Sequence, residues 1–143
     1  MSTQIDKASL LGRWHIVDWV QRYDDRRERR PFGADPQGFI QYDADGRMSC
    51  FVCSAGRKPL PGTQWEVPEA DRAAAYSSCF AYAGTYEVVG DEVLHKVDLS
   101  LNPNWVGTTQ RRHAALRAGR LIISARMEEG TPEARTAELI WRR

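Results

Sequence analysis

The sequence predicts an all-β protein: an eight-stranded antiparallel up-and-down barrel with one helix, about residues 68–82, that caps or plugs one end. Three observations lead there. Apolar and polar residues alternate in short runs instead of recurring at helical spacing, the pattern of half-buried strands. Gly, Pro, Asn and Asp fall between those runs, most of them in gaps short enough for hairpins. Only one segment combines helix-start chemistry with a run of good helix formers. Eight strands in this order close into a barrel just wide enough for side chains or one small ligand.

Each element has its own warrant. In Gly12–Gln21, Trp14, Ile16, Asp18 and Val20 share the inward face, with His15, Val17 and Trp19 opposite. Tyr23–Pro31 sets four arginines against three acids and reads as a solvated loop. Gly38–Asp43 and Arg47–Cys53 form a hairpin across Asp43-Ala44-Asp45-Gly46, whose Asp-Gly ending is a strong turn signal. Residues 54–66 carry Gly and Pro clusters and read as loop. The helix starts at Pro68, has Glu69 and Asp71 in its first turn, runs through Ala73–Tyr82 and stops at Gly84. A meander follows: Thr85–Val89, Glu92–Leu101, Val106–Leu116, Arg120–Met127 and Thr136–Arg142.

Composition narrows the function. A chain of 143 residues is one domain, residues 1–143, and needs neither metal nor disulfide to hold a core. With 20 Lys and Arg against 19 Asp and Glu, the net charge of +1 gives no electrostatic case for nucleic acid or an anionic membrane. No apolar run is long enough to span a bilayer. The first seven residues lack the apolar core of a secretory signal, and the three cysteines are an odd number; both predict a cytoplasmic protein. Cys50-Phe51-Val52-Cys53 is not read as a metal or redox motif. On a strand its cysteines face opposite ways about 10 Å apart, beyond the roughly 7 Å a disulfide tolerates. No nucleophile elbow, phosphate loop or metalloprotease motif is present, and no cofactor is expected.

The informative stretch is Tyr86 to Arg112. Alternation places Val93, His95, Val97, Leu99 and Leu101 inward, so the histidine sits on an apolar face. A two-residue Gly90-Asp91 turn sets Tyr86 opposite His95. A turn centred on Pro103-Asn104 sets Arg112 opposite His95 and Gln110 opposite Val97. The result is an interior row, Tyr86–His95–Arg112, with Gln110 beside it. An interior guanidinium needs a partner: either a protein acid such as Asp18, which makes it structural, or a ligand carboxylate or enolate. Trp14, Phe39, Tyr42, Tyr82 and Trp105 are the candidate apolar wall or rim. Trp14 and Trp141 also read as core plugs, His15 and His113 as surface residues, and Trp19 and Tyr23 as lying off the inward faces.

Leu10-Leu11-Gly12-Arg13-Trp14, Pro31-Phe32-Gly33, Gly38-Phe39-Ile40-Gln41-Tyr42 with Asp45-Gly46-Arg47-Met48-Ser49, Tyr82-Ala83-Gly84-Thr85-Tyr86, His95, and Asn102-Pro103-Asn104-Trp105-Val106-Gly107 with Gln110 and Arg112 resemble, in order along the chain, the small lipocalin-like domain proteins of bacteria and fungi. The resemblance implies a calycin-type barrel with an interior cavity, and no particular reaction. Where similar sequences often carry a second His after the first, this chain has Lys96.

The leading expectation is a cofactor-free barrel that binds a small, largely apolar or amphipathic metabolite bearing an anionic or carbonyl group, held by Tyr86, His95, Gln110 and Arg112. The alternative is an isomerase, cyclase or dehydratase in which His95 and Tyr86 move protons and Arg112 stabilises an oxyanion. A third reading is a filled barrel that acts only through protein contacts, and a homodimer is a further candidate assembly.

Overall fold

A strand that is apolar on one face and polar on the other must turn its apolar face away from water, and a sheet closed on itself does so without leaving an edge. A computed structural model describes residues 2–143. Its strands are β1 (Ser2–Thr3), β2 (Gly12–Tyr23), β3 (Glu28–Arg29), β4 (Gln37–Tyr42), β5 (Arg47–Cys53), β6 (Cys79–Val89), β7 (Glu92–Ser100), β8 (Thr109–Arg117), β9 (Arg120–Met127) and β10 (Arg135–Arg142). The helices are α1 (Lys7–Leu10), α2 (Glu69–Ser77) and the 3-10 turn η1 (Pro103–Trp105). Every pairing is antiparallel, in the order β8-β7-β6-β5-β4-β2-β10-β9, and β8 pairs with β9 to close an eight-stranded up-and-down barrel. The two-residue strands β1 and β3 lie against β8 and β2.

The helix is shorter than its local chemistry predicts. α2 ends at Ser77, and Cys79–Tyr82, expected to be helical, pair with β5 instead. The ladder overrides helix propensity because it places Phe80 and Tyr82 against the barrel interior, where α2 has no buried residue. The structure also adds α1, whose Asp6 and Ser9 form a reciprocal capping box: the Ser9 amide donates to Asp6 at 2.7 Å and the Asp6 amide to Ser9 at 2.9 Å. It delivers Leu10, fully buried, beneath Trp14, whose indole N–H donates to the Leu10 carbonyl at 2.8 Å.

Two β-bulges reset which residues face inward. β10 pairs with β2 as Trp141 opposite Ile16 and Ile140 opposite Asp18, leaving Val17 as an extra residue. Trp14 and Ile16 point in before it; beyond it Trp19 and Gln21 point in, and Asp18 points out to Arg30 at 3.1 Å. The expected inward placement of Asp18 and outward placement of Trp19 are therefore reversed. A second bulge leaves Asp98 unpaired, with Gly84 opposite Val97 and Ala83 opposite Leu99, and turns Leu99 outward to 69% exposure against its expected inward position.

The register of β6 and β7 is as the Gly90-Asp91 turn requires: Gly90 has φ 63° and Tyr86 lies opposite His95. The next hairpin differs. Residues 102–107 form a longer loop in which Asn102 caps η1, and the Val97 amide and carbonyl bond Thr108 and Gly107 at 3.0 and 2.9 Å. Lys96 then pairs with Thr109, so Gln110, not Arg112, stands opposite His95, and Arg112 stands opposite Val93. The slip is by two residues, so Gln110 and Arg112 keep their inward face.

At Gly84, β6 lies hard against β7; a Cβ there would collide with the Lys96 carbonyl oxygen. Gly84→Ala is expected to lower stability by about 1–3 kcal/mol, read as a lower urea midpoint. An unchanged midpoint would mean that the bulge does not need this close approach.

Candidate functional site

One end of the barrel is filled. Leu10, Trp14, Ile16, Tyr42, Tyr86, Val93 and Leu121 form its core. Toward the other end the interior opens into a cavity of about 410 Å³. Ile40, Ile123, Leu139 and Trp141 supply apolar wall, and Trp19, Phe80, Tyr82 and Trp105 line one side. Trp19 packs edge to face on Phe80 and Tyr82 on Trp105, with centroids 5.4 and 5.7 Å apart, Phe80 and Tyr82 stack at 6.4 Å, and Phe32 abuts Trp19 at 4.8 Å.

His95 is the polar centre. It is 1% exposed and held on both ring nitrogens: Tyr42 Oη lies 2.7 Å from Nε2 and Tyr82 Oη lies 2.9 Å from Nδ1. β4, β6 and β7 each supply one member, all on inward faces. Burial first, and the positive charge of Arg112 second, push the His95 pKa down to about 3, so the imidazole is neutral at ordinary pH. Burial also raises the Tyr42 and Tyr82 phenols and the Cys50 thiol well above their usual ranges, so these groups keep their protons.

Arg112 lies in the cavity wall, half-buried. Its guanidinium donates to the Arg111 carbonyl at 3.1 Å and to Gln110 Oε1 at 3.5 Å. Among the described residues no carboxylate pairs with it, and Asp18, the acid of the structural alternative, is bound to Arg30 on the outer face. Gln21, buried beyond the Val17 bulge, also lines the cavity.

The structure brings His95, Gln110, Arg112, Tyr82 and Trp105 together around the cavity. It places the other candidates elsewhere. Tyr86 packs in the filled end at 4.8 Å from the Tyr42 ring, and its hydroxyl donates to the Asp43 carbonyl at 2.8 Å. Trp14 is core, and Tyr42 reaches the site only through His95. Phe39 is on the outward face of β4, under the Arg13 guanidinium at 4.0 Å. Trp19, Gln21, Phe80 and Trp141 join the lining. Alternation, corrected for one extra residue, would have found the first two. Lys96 points outward and bridges Glu87 at 3.2 Å.

A family model described as a lipocalin-like domain matches residues 11–143. The chain belongs to the lipocalin-like domain family. No curated protein matches it. A lipocalin-like barrel with an open interior fits small-molecule binding in general. Among the described residues, no helix of this lipocalin-like protein is long and apolar enough to cross a membrane.

Two outcomes test the His95 clamp. The ordinary histidine pKa of 6.5 applies to the unfolded chain, whereas the native imidazole stays unprotonated to about pH 3. Between those values the unfolded state binds the extra proton, so this residue lowers stability by about 1.4 kcal/mol per unit as pH falls. Urea denaturation of the native protein and His95→Gln across pH 6 to 4 is expected to differ in slope by up to that amount; equal slopes would contradict a buried neutral histidine. Tyr42→Phe, which strands Nε2, is expected to cost about 1–3 kcal/mol at neutral pH.

Proposed function

We propose that this cytoplasmic, cofactor-free barrel binds a small, largely apolar molecule through an anionic or carbonyl oxygen placed against Arg112. The observation that carries the reading is the Arg112 guanidinium, half-buried in the wall of an apolar cavity with no protein carboxylate among the described residues to neutralise it. A charge kept that way in a poorly hydrated site favours an anionic or strongly accepting partner, and the planar fork of arginine suits a carboxylate or enolate. A volume of about 410 Å³ suits a small metabolite, and the aromatic and aliphatic walls supply its apolar contacts.

Binding is favoured over proton transfer because both nitrogens of His95 are already engaged and its pKa, about 3, is far from that of a general base working near neutral pH. The open interior speaks against a barrel that acts only through protein contacts.

Native mass spectrometry of the protein after exposure to a metabolite extract is expected to recover a mostly apolar molecule bearing a carboxylate, enolate or carbonyl group. Arg112→Ala is expected to weaken its retention roughly 10- to 100-fold, the worth of a charged hydrogen bond. A folded protein that retains nothing, or a ligand indifferent to Arg112→Ala, would contradict the reading.

A further inference from the structure

A neutral imidazole has one N–H and one bare nitrogen, so its two tyrosine partners cannot play the same role. Among the described residues the Tyr42 hydroxyl has no hydrogen-bond partner but His95, and Tyr42 is 1% exposed. If Nε2 carried the proton, the Tyr42 oxygen would accept it and the Tyr42 hydroxyl hydrogen would be buried with nothing to receive it, which proteins avoid. With the proton on Nδ1, Tyr42 donates to Nε2 and Nδ1–H donates to Tyr82. Both buried groups are then satisfied. The Tyr82 oxygen has become an acceptor, and its own hydrogen has only the neighbouring Cys50 sulfur, a weak acceptor, to hold it within the protein, so it can turn to an oxygen in the cavity that Tyr82 lines.

Resting on the ligand-binding reading above, we infer that Tyr42, His95 and Tyr82 form a one-way donor chain that ends on Tyr82 as a hydrogen-bond donor to the bound molecule. His95 is a positioning residue, and Tyr82 touches the ligand. This end of the cavity is donor-rich: it holds the Tyr82 hydroxyl and the Arg112 guanidinium, and Gln110 turns its carbonyl to Arg112, which leaves its amide N–H groups to the cavity. The ligand class is therefore an oxygen acceptor without donors at that end, such as a carboxylate or an enolate. A molecule presenting an ammonium there meets the like charge of the Arg112 guanidinium.

The tautomer is read without any ligand. Nitrogen-15 spectra of histidine-labelled protein, with His95 assigned through its contacts to the Tyr42 and Tyr82 rings, are expected to show the proton on Nδ1 from pH 5 to 8. A proton on Nε2 overturns the inference and leaves the ligand-binding reading standing. The binding arm uses 2-naphthoate and 2-naphthylmethylamine as matched probes. Naphthoate is expected to bind at least tenfold more tightly, and Tyr82→Phe to weaken naphthoate roughly 10- to 100-fold with little effect on the amine. Equal binding of the two probes, or naphthoate binding unchanged in Tyr82→Phe, overturns the donor role. If neither probe binds while Nδ1 carries the proton, the ligand-binding reading fails and the donor role that rests on it falls too.

An independent observation concerns the cysteines. Cys53 and Cys79 are directly opposite at the end of the β5–β6 ladder, both free and both half-buried. Their neighbours Ser54 and Ser78 share a ladder bond, the Ser54 amide donating to the Ser78 carbonyl at 3.0 Å. Cys53 and Cys79 are thus a non-hydrogen-bonded pair, whose Cα atoms in an antiparallel ladder lie about 4.5 Å apart, within reach of a disulfide. We propose that this pair is a modification site that oxidised glutathione converts to a disulfide at the base of the 54–78 excursion. One thiolate attacks the glutathione disulfide and releases one glutathione; the second displaces the other from the mixed disulfide. One S–S bond forms, the two cysteines lose two protons and two electrons, and the incoming disulfide is reduced to two thiols. Equilibration with oxidised glutathione is expected to give a product two hydrogens lighter whose digest links the Cys53 and Cys79 peptides, and none in Cys53→Ser or Cys79→Ser. Cysteines that remain alkylatable throughout, or a link that includes Cys50, would overturn it.

Discussion

A strand repeats every two residues, so in a closed barrel one extra residue exchanges inside for outside along the rest of that strand. The site depends on this constraint twice. The Val17 bulge brings Trp19 and Gln21 into the cavity and sends Asp18 out to Arg30. The Asp98 bulge sends Leu99 to the surface and sets Ser100 opposite Tyr82. Without the first, a carboxylate would face the same interior as Arg112. With it, the cavity wall contains a guanidinium whose hydrogen bonds, among the described residues, go to a carbonyl and a side-chain amide.

Electrostatics and hydrogen bonding then divide the work. His95 is buried near a cation, and both circumstances disfavour its protonated form; the imidazole serves as neutral wiring between two phenols. The phenols are themselves too buried to ionise readily. Tyr82, Gln110 and Arg112 form a polar end of the cavity, which Gln21 also lines, against walls of aromatic and aliphatic side chains. That asymmetry suits an amphipathic guest, apolar along its body and accepting at its head.

Much of the architecture was legible from alternation and turns. The barrel, most of its strand boundaries and the Tyr86–His95 pairing follow from Gly, Asp and Asn positions that demand particular backbone conformations. The bulges are not, because neither Val17 nor Asp98 is itself a residue type that marks a bulge, and so strict alternation puts Trp19 and Asp18 on the wrong faces. The Asn102–Gly107 loop reads as a tight turn in sequence because its 3-10 segment depends on Asn102 capping Asn104. Residues 79–82 favour a helix locally and are held as strand only by β5. His95, Gln110 and Arg112 emerged as cavity residues since a two-residue slip preserves face, whereas the Tyr42–His95–Tyr82 clamp spans three strands and has no signature in any one of them. The resemblance to lipocalin-like domains pointed to a cavity without indicating which tyrosine borders it.

The central claim is that Arg112 and Tyr82 together receive the oxygen of a ligand inside the barrel. A crystal structure of the complex with 2-naphthoate tests it most directly. The account predicts the naphthalene ring among Trp19, Phe80 and Leu139, with carboxylate oxygens within about 3 Å of the Arg112 guanidinium and the Tyr82 hydroxyl. Naphthoate bound outside the barrel, or Arg112 turned away to a protein carboxylate with the cavity closed behind it, would contradict it.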